Sequence, residues 1–241
     1  MWPRTNREHI RFGLLCMGSF QVHKRLARQA RQPGSPAHTL SEVFPETATD
    51  AASAGFILSR LARTQAPVLW VQDRLSRKET GRPCLAGIGS RRPMIMVDVS
   101  RAADVLWAME DGLRCKALGA VIGEIWGNPS ALDFTATKRL AMRAETADVP
   151  CWLIRRAASP DLSAARDRWR VSSLPAAPHP HDAQAPGLPR WSLDLFRSRQ
   201  SRPGQWVARY DGASDRLDLS AAVRDGTLAP GDGAARQRAT G

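Results

Sequence analysis

The 241-residue chain predicts an α/β fold, a mainly parallel sheet flanked by helices with antiparallel strands at its C-terminal edge. Two observations carry this. Between residues 40 and 154, short apolar runs without polar alternation recur between stretches of helical period, the pattern of parallel strands buried on both faces. After Arg155 the period becomes two. Trp169 and Val171 alternate with Arg168 and Arg170, and Trp191, Leu193 and Leu195 alternate with Ser192, Asp194 and Phe196. Trp206, Ala208 and Tyr210 continue the alternation, which without intervening helices marks antiparallel strands.

Each element has its own signal. Leu40–Phe44 is a short apolar strand. Thr49 or Asp50 caps a helix through Arg63, with Ala54, Ile57, Leu58 and Leu61 on one face. Pro67–Gln72 reads as a buried strand, Asp73–Gly81 as a polar loop of mixed charge, and Met94–Asp98 as a third strand. Ser100 suits the N-cap of a helix over Arg101–Ala117. Ala120–Trp126 is a fourth strand, Thr135–Ala147 a helix and Pro150–Ile154 a fifth strand, while Pro175–Pro189 is a loop. The expected organisation is a basic arm or helix, partly disordered, over residues 1–37, a folded domain over 38–211, and a disordered tail over 212–241. Met17 offers a second possible start.

Composition limits the functional classes. No uncharged apolar run approaches eighteen residues, so no membrane helix is expected. Cys16, Cys84, Cys115 and Cys151 are scattered, with no C-x-x-C pair, which argues against a zinc site and fits a reducing cytoplasm. The net charge of +12 is localised: residues 1–38 carry +6, 155–170 carry +3 and 190–209 carry +4, whereas 39–154 are almost neutral. Local excess of this sign fits a phosphate backbone or an acidic partner. Two arginine groups interleave with aromatics: Arg155, Arg156, Arg166, Arg168 and Arg170 around Trp169, then Arg190, Arg197, Arg199 and Arg202 around Trp191 and Phe196. The alternation places the tryptophans in the core and leaves the arginines to meet DNA or a partner. Trp70, Trp107, Trp126 and Trp152 also suit packing.

The turn after the first strand has the outline of a phosphate loop without its chemistry. A working loop reads G-x-x-x-x-G-K-[ST], with backbone N–H groups around the phosphates, a lysine on them and a hydroxyl on magnesium. Here Pro45 and Asp50 stand at the glycines, and Ala51 and Ala52 at the lysine and hydroxyl, with Glu46 and Thr47 between. Glu124, ending its strand, stands where a magnesium-linked carboxylate would be expected. The five histidines lie outside the expected core elements, and no Ser/His/Asp or Cys/His set emerges. Neither a catalytic residue nor a metal or cofactor is expected.

The ordered blocks L-S-E-V-F-P, V-L-W-V-Q-D-R-L-S-R-K-E-T-G-R-P, A-D-V-L-W-A-M-E-D-G-L-R-C and A-V-I-G-E-I-W-G resemble the ImuA family of bacterial inducible-mutagenesis proteins. So do L-D-F-T-A-T-K-R-L, R-D-R-W-R-V and P-R-W-S-L-D-L-F-R-S-R. The resemblance spans about His38 to Asp211. It implies a RecA-like core and a non-catalytic accessory role in DNA-damage-induced translesion synthesis. The implied partners are an ImuB-like Y-family protein and an error-prone C-family DNA polymerase subunit, with RecA and single-stranded DNA as further candidates. A SulA-like division inhibitor and a RecA-like ATPase are the alternatives.

Overall fold

The computed structural model describes residues 38–62, 64–84, 92–182 and 184–222. The expected basic arm, and the tail beyond residue 222, lie outside the described residues. In chain order the elements are β1 (Leu40–Pro45), α1 (Ala52–Arg60), β2 (Val68–Asp73), α2 (Arg74–Thr80), β3 (Met94–Val99), α3 (Ala102–Gly112) and β4 (Ala120–Trp126). They continue with α4 (Phe134–Ala147), β5 (Cys151–Arg156), β6 (Asp167–Leu174), β7 (Arg190–Ser198), β8 (Gly204–Asp211) and β9 (Arg216–Ala221). The described strands form one nine-stranded sheet in the order β3-β2-β4-β5-β1-β6-β7-β8-β9. Pairing is parallel from β3 to β6 and antiparallel from β6 to β9. This is the α/β arrangement, mainly parallel with antiparallel C-terminal strands, that the sequence pattern predicted. β1 sits inside the sheet, and its C-terminal end opens onto the turn leading to α1.

Each face of the parallel part has its own core, which is why β1, β2, β4 and β5 lack alternation. Under α1, Val43, Phe56, Ile57, Trp70, Trp152 and Trp169 pack together. Under α3 and α4, Leu40, Val71, Met109, Val121, Leu140 and Leu153 pack on the other side. Phe56 meets the rings of Trp152 and Trp169 at centroid distances of 6.1 and 5.0 Å, within the range of favourable aromatic pairs.

Several expectations need correction. Asp73–Gly81 is helical, not a loop. The Asp73 carboxylate accepts from the Ser76 N–H at 2.6 Å, and Gly81 ends the helix at φ +73°. The helix carries almost no apolar face, so periodicity could not reveal it. The tail does not begin at 212: Leu217 is buried, Leu219 packs against the same core, and β9 extends the sheet to Ala221. α1 begins at Ala52, where Asp50 accepts from the Ala52 N–H at 2.8 Å, and it ends at Arg60 rather than Arg63. α3 stops at Gly112, and Arg101 rather than Ser100 occupies its N-cap, with no side-chain cap. Trp107 is not a packing residue; its side chain is 73% exposed on α3. No described helix is long and apolar enough to cross a membrane.

Candidate functional site

The turn between β1 and α1 has the opposite polarity to a phosphate cradle. Two of its carbonyls, Ala48 O and Asp50 O, accept hydrogen bonds from one guanidinium nitrogen of Arg156 at 3.0 and 2.6 Å. A phosphate loop turns N–H groups inward; here carbonyls converge on a cation. The Glu46 N–H is already donated to Val171 O at 3.1 Å, and the Asp50 N–H to Thr47 O at 3.0 Å. Asp50 supplies an internal anion. Its carboxylate accepts from the Ala52 N–H at 2.8 Å, from the Ser173 N–H at 2.7 Å and from the Ser173 hydroxyl at 2.6 Å. A carboxylate of the chain itself therefore takes the favourable N-terminal end of α1. Pro45 closes β1, and Ala51 and Ala52 present only methyl groups.

Arg156 reaches this turn from the end of β5 and joins it to Glu124 on β4. Its Nε donates to Glu124 Oε1 at 2.6 Å. Glu124 also accepts from Gln72 at 2.8 Å, from the Trp70 indole at 3.2 Å and from Thr80 at 3.2 Å. Both partners are buried, Glu124 at 1% and Arg156 at 4% exposure. The carboxylate at the magnesium-linked position is thus neutralised by an arginine, with donors on both oxygens. Among the described residues no cluster of three or more His, Cys, Asp or Glu could hold a metal ion.

Beside this ion pair lies a cavity of about 450 Å³. Its walls include Ala51, Gly55, Trp70, Arg82, Trp191 and Tyr210. Trp191 and Tyr210 are stacked at 5.6 Å and 20°. Gly55 permits the close approach of α1 to β7, since a Cβ there would sit 2.7 Å from Trp191 Cζ2.

A second buried charge cluster occupies the opposite face. Glu42, in the middle of β1 and fully buried, accepts from Arg168 Nε at 2.7 Å and from the Ser163 hydroxyl at 2.8 Å. Arg155 lies 3.5 Å from the same carboxylate and donates to Asn128 at 2.7 Å. The guanidiniums of Arg155 and Arg168 stand over the Phe44 ring at 5.5 and 5.2 Å. Neighbouring strand residues point to opposite faces, so Arg155 and Arg156 enter different clusters, both covered.

The expected arginine surface is therefore divided. Arg155, Arg156 and Arg168 are 1–4% exposed and structurally committed, which corrects their placement on a nucleic-acid-facing surface. Arg166 pairs with Glu145 of α4 at 2.7 Å, and Arg170 pairs with Asp194 at 3.1 Å while remaining half exposed. Arg190 is partly exposed, and Arg197, Arg199 and Arg202 are exposed; none has an ion-pair partner among the described residues. Trp169 and Trp191 are core residues, as the alternation implied. The roles of Glu42, Arg156 and Ser173 escaped the sequence reading. The one local hint was a glutamate inside a mostly apolar β1.

Fold and site define an α/β domain with a mainly parallel sheet, in which Arg156 and Asp50 of the chain itself fill the turn between β1 and α1. No family model matches the chain. It is 30% identical over 191 residues to Protein ImuA of Caulobacter vibrioides strain NA1000 / CB15N, covering 73% of this chain and 75% of that protein. Protein ImuA of strain ATCC 19089 matches equally. The chain belongs to the ImuA family, and so to the proteins of inducible mutagenesis.

Proposed function

We propose that this protein is a non-catalytic, RecA-like accessory of a DNA-damage-induced translesion complex. In this reading it acts as an adaptor between an ImuB-like Y-family protein and an error-prone C-family polymerase subunit. The observation that carries the non-catalytic part is Arg156, which bridges Glu124 and the carbonyls of Ala48 and Asp50. Phosphoryl transfer depends on cations and N–H donors placed around a triphosphate. Here a cation is already spent on the chain's own carboxylate and carbonyls, and the helix N-terminus is taken by Asp50. Family membership supports the mutagenesis setting, and a fold held at this edge by ion pairs suits a rigid docking body.

The test is calorimetric titration of the purified full chain with Mg·ATP. No saturable binding at millimolar nucleotide is expected, and none after Asp50→Gly, because Arg156 still blocks the loop. Saturable, magnesium-dependent binding by the unmodified chain would replace the adaptor reading with the ATPase one.

A further inference from the structure

Among the described residues, the antiparallel extension of the sheet is covered by a helix, α1, on one face only. Trp191, Ala208 and Leu217 point into the core under α1, so Arg170, Arg190, Arg209 and Arg216 point the other way. Their exposure agrees: the side chains of Arg170, Arg209 and Arg216 are 53%, 55% and 71% accessible. Arg197 closes β7, and Arg199 and Arg202 belong to the β7–β8 hairpin. The acids that face these seven arginines are Asp194, Asp211 and Asp218, and each is already engaged. Asp194 pairs with Arg170, Asp218 with Arg209 and Arg216, and the Asp211 carboxylate is held by Ser214 and the Ala213 N–H. Among the described residues, Arg190, Arg197, Arg199 and Arg202 are left without a counter-charge.

The register sharpens the point. Arg190 lies directly across from Arg209, and Arg168 directly across from Arg197. Like charges in such pairs oppose folding. Arg168 has Glu42 and Arg209 has Asp218 as counter-charge; Arg190 and Arg197 have none among the described residues. These two residues sit seven strand steps apart, roughly 23 Å at ~3.3 Å per residue. Between them lie Ser172, Ser192 and Asp194, and Phe196 carries the Arg170 guanidinium over its ring at 4.3 Å. An extended sheet face whose arginines lack counter-charges among the described residues matches a flexible polyanion.

We propose that this face of β6–β9, opposite α1, binds the backbone of single-stranded DNA, without sequence preference, over at least about four nucleotides. The proposal deepens the accessory reading and rests on it only for the choice of polymer. Phosphates supply the missing counter-charges of Arg190, Arg197, Arg199 and Arg202. Four neutralised phosphates on a single strand give a log–log salt slope of roughly −3, or about 50-fold weaker binding between 50 and 200 mM salt.

The experiment is fluorescence anisotropy of a labelled oligo-dT twenty-mer with the purified full chain over that salt range. Three variants are compared: Arg190→Ser/Arg197→Ser/Arg199→Ser/Arg202→Ser, a control with Lys78, Arg114, Lys116 and Lys138 changed to serine, and Lys24→Ser/Arg25→Ser/Arg28→Ser/Arg31→Ser in the N-terminal segment. Circular dichroism and thermal melting verify folding of each. The proposal expects the first variant to lose at least tenfold in affinity and most of the salt slope, with the other two within about threefold of the unmodified chain. No binding by the unmodified chain at 50 mM salt overturns it, as does a loss that follows the N-terminal variant or the control equally. Co-purification of the first variant with the ImuB-like protein is measured alongside. Retained partner with lost DNA binding supports the proposal. Lost partner from a chain that never bound DNA makes the face an acidic-partner surface and overturns the DNA assignment while leaving the adaptor reading intact.

Discussion

Replacing Arg156 with alanine removes the central cation of the β1–α1 edge and leaves Glu124 charged in a site only 1% exposed. Breaking a buried ion pair from one side costs about 3–5 kcal/mol. Glu124 keeps donors from Trp70, Gln72 and Thr80, which places that loss near the lower end. The carbonyls of Ala48 and Asp50 also lose their donor, and a typical hydrogen bond contributes about 1 kcal/mol. The expected destabilisation is about 5 kcal/mol, a large part of the roughly 5–15 kcal/mol that holds a domain folded. The double variant Arg156→Met/Glu124→Leu removes both charges together and should fall within about 2 kcal/mol of the original protein. Urea unfolding followed by tryptophan fluorescence measures both. A loss below about 1 kcal/mol for Arg156→Ala at unchanged m-value would refute the ion-pair account, and so would a double variant as unstable as the single one.

Burial holds the Asp167 carboxyl above its ordinary value of 3.8, against the opposing hydrogen bond from Ser198 and the charge of Arg60. The folded state therefore binds this proton more tightly than the unfolded state. The associated stability is complete below 3.8 and is lost as pH rises through the folded-state value. The stability of the original protein relative to Asp167→Asn should decline as pH rises above about 4 in denaturant titrations; an increase as pH rises would contradict the assignment. Cys84 and Cys115 are exposed, whereas burial pushes the Cys151 thiol far up. Iodoacetamide labelling read by mass spectrometry should modify Cys84 and Cys115 in the native protein and Cys151 only after unfolding. Gly55→Ala gains about 1 kcal/mol of helix propensity, but its Cβ meets the Trp191 ring at 2.7 Å. Overpacking of about 1–3 kcal/mol outweighs that gain, so the melting temperature should fall by several degrees, and a rise would show that Trp191 does not pack where described.

The parallel half of the sheet was legible because its strands are covered twice, and double coverage leaves apolar runs that need no partner to be read. The antiparallel half was legible for the complementary reason, through Trp169, Trp191 and Trp206 at period two. α2 was hidden because it is a polar helix held by one capping carboxylate, Asp73. β9 carried its own alternation in R-L-D-L-S-A, but the glycine-rich sequence around and beyond it outweighed six residues. The missing phosphate-loop residues could be read directly from positions 45–52, because they are local. What replaces them could not. Arg156 is 106 residues from Asp50, and Arg168 is 126 from Glu42. Nothing local distinguishes an arginine that will be neutralised across the sheet from one that will stay at the surface. The basic cluster around Trp169 therefore looked like the one around Trp191, although its members divide between the core and the open face.

The most direct test of the accessory role is capture of the tagged full chain from DNA-damaged cells, read by quantitative mass spectrometry against undamaged controls. The account predicts joint, damage-dependent recovery of an ImuB-like Y-family protein and a C-family polymerase subunit. Recovery of the tubulin-like division protein without either of them would contradict it and favour a SulA-like inhibitor.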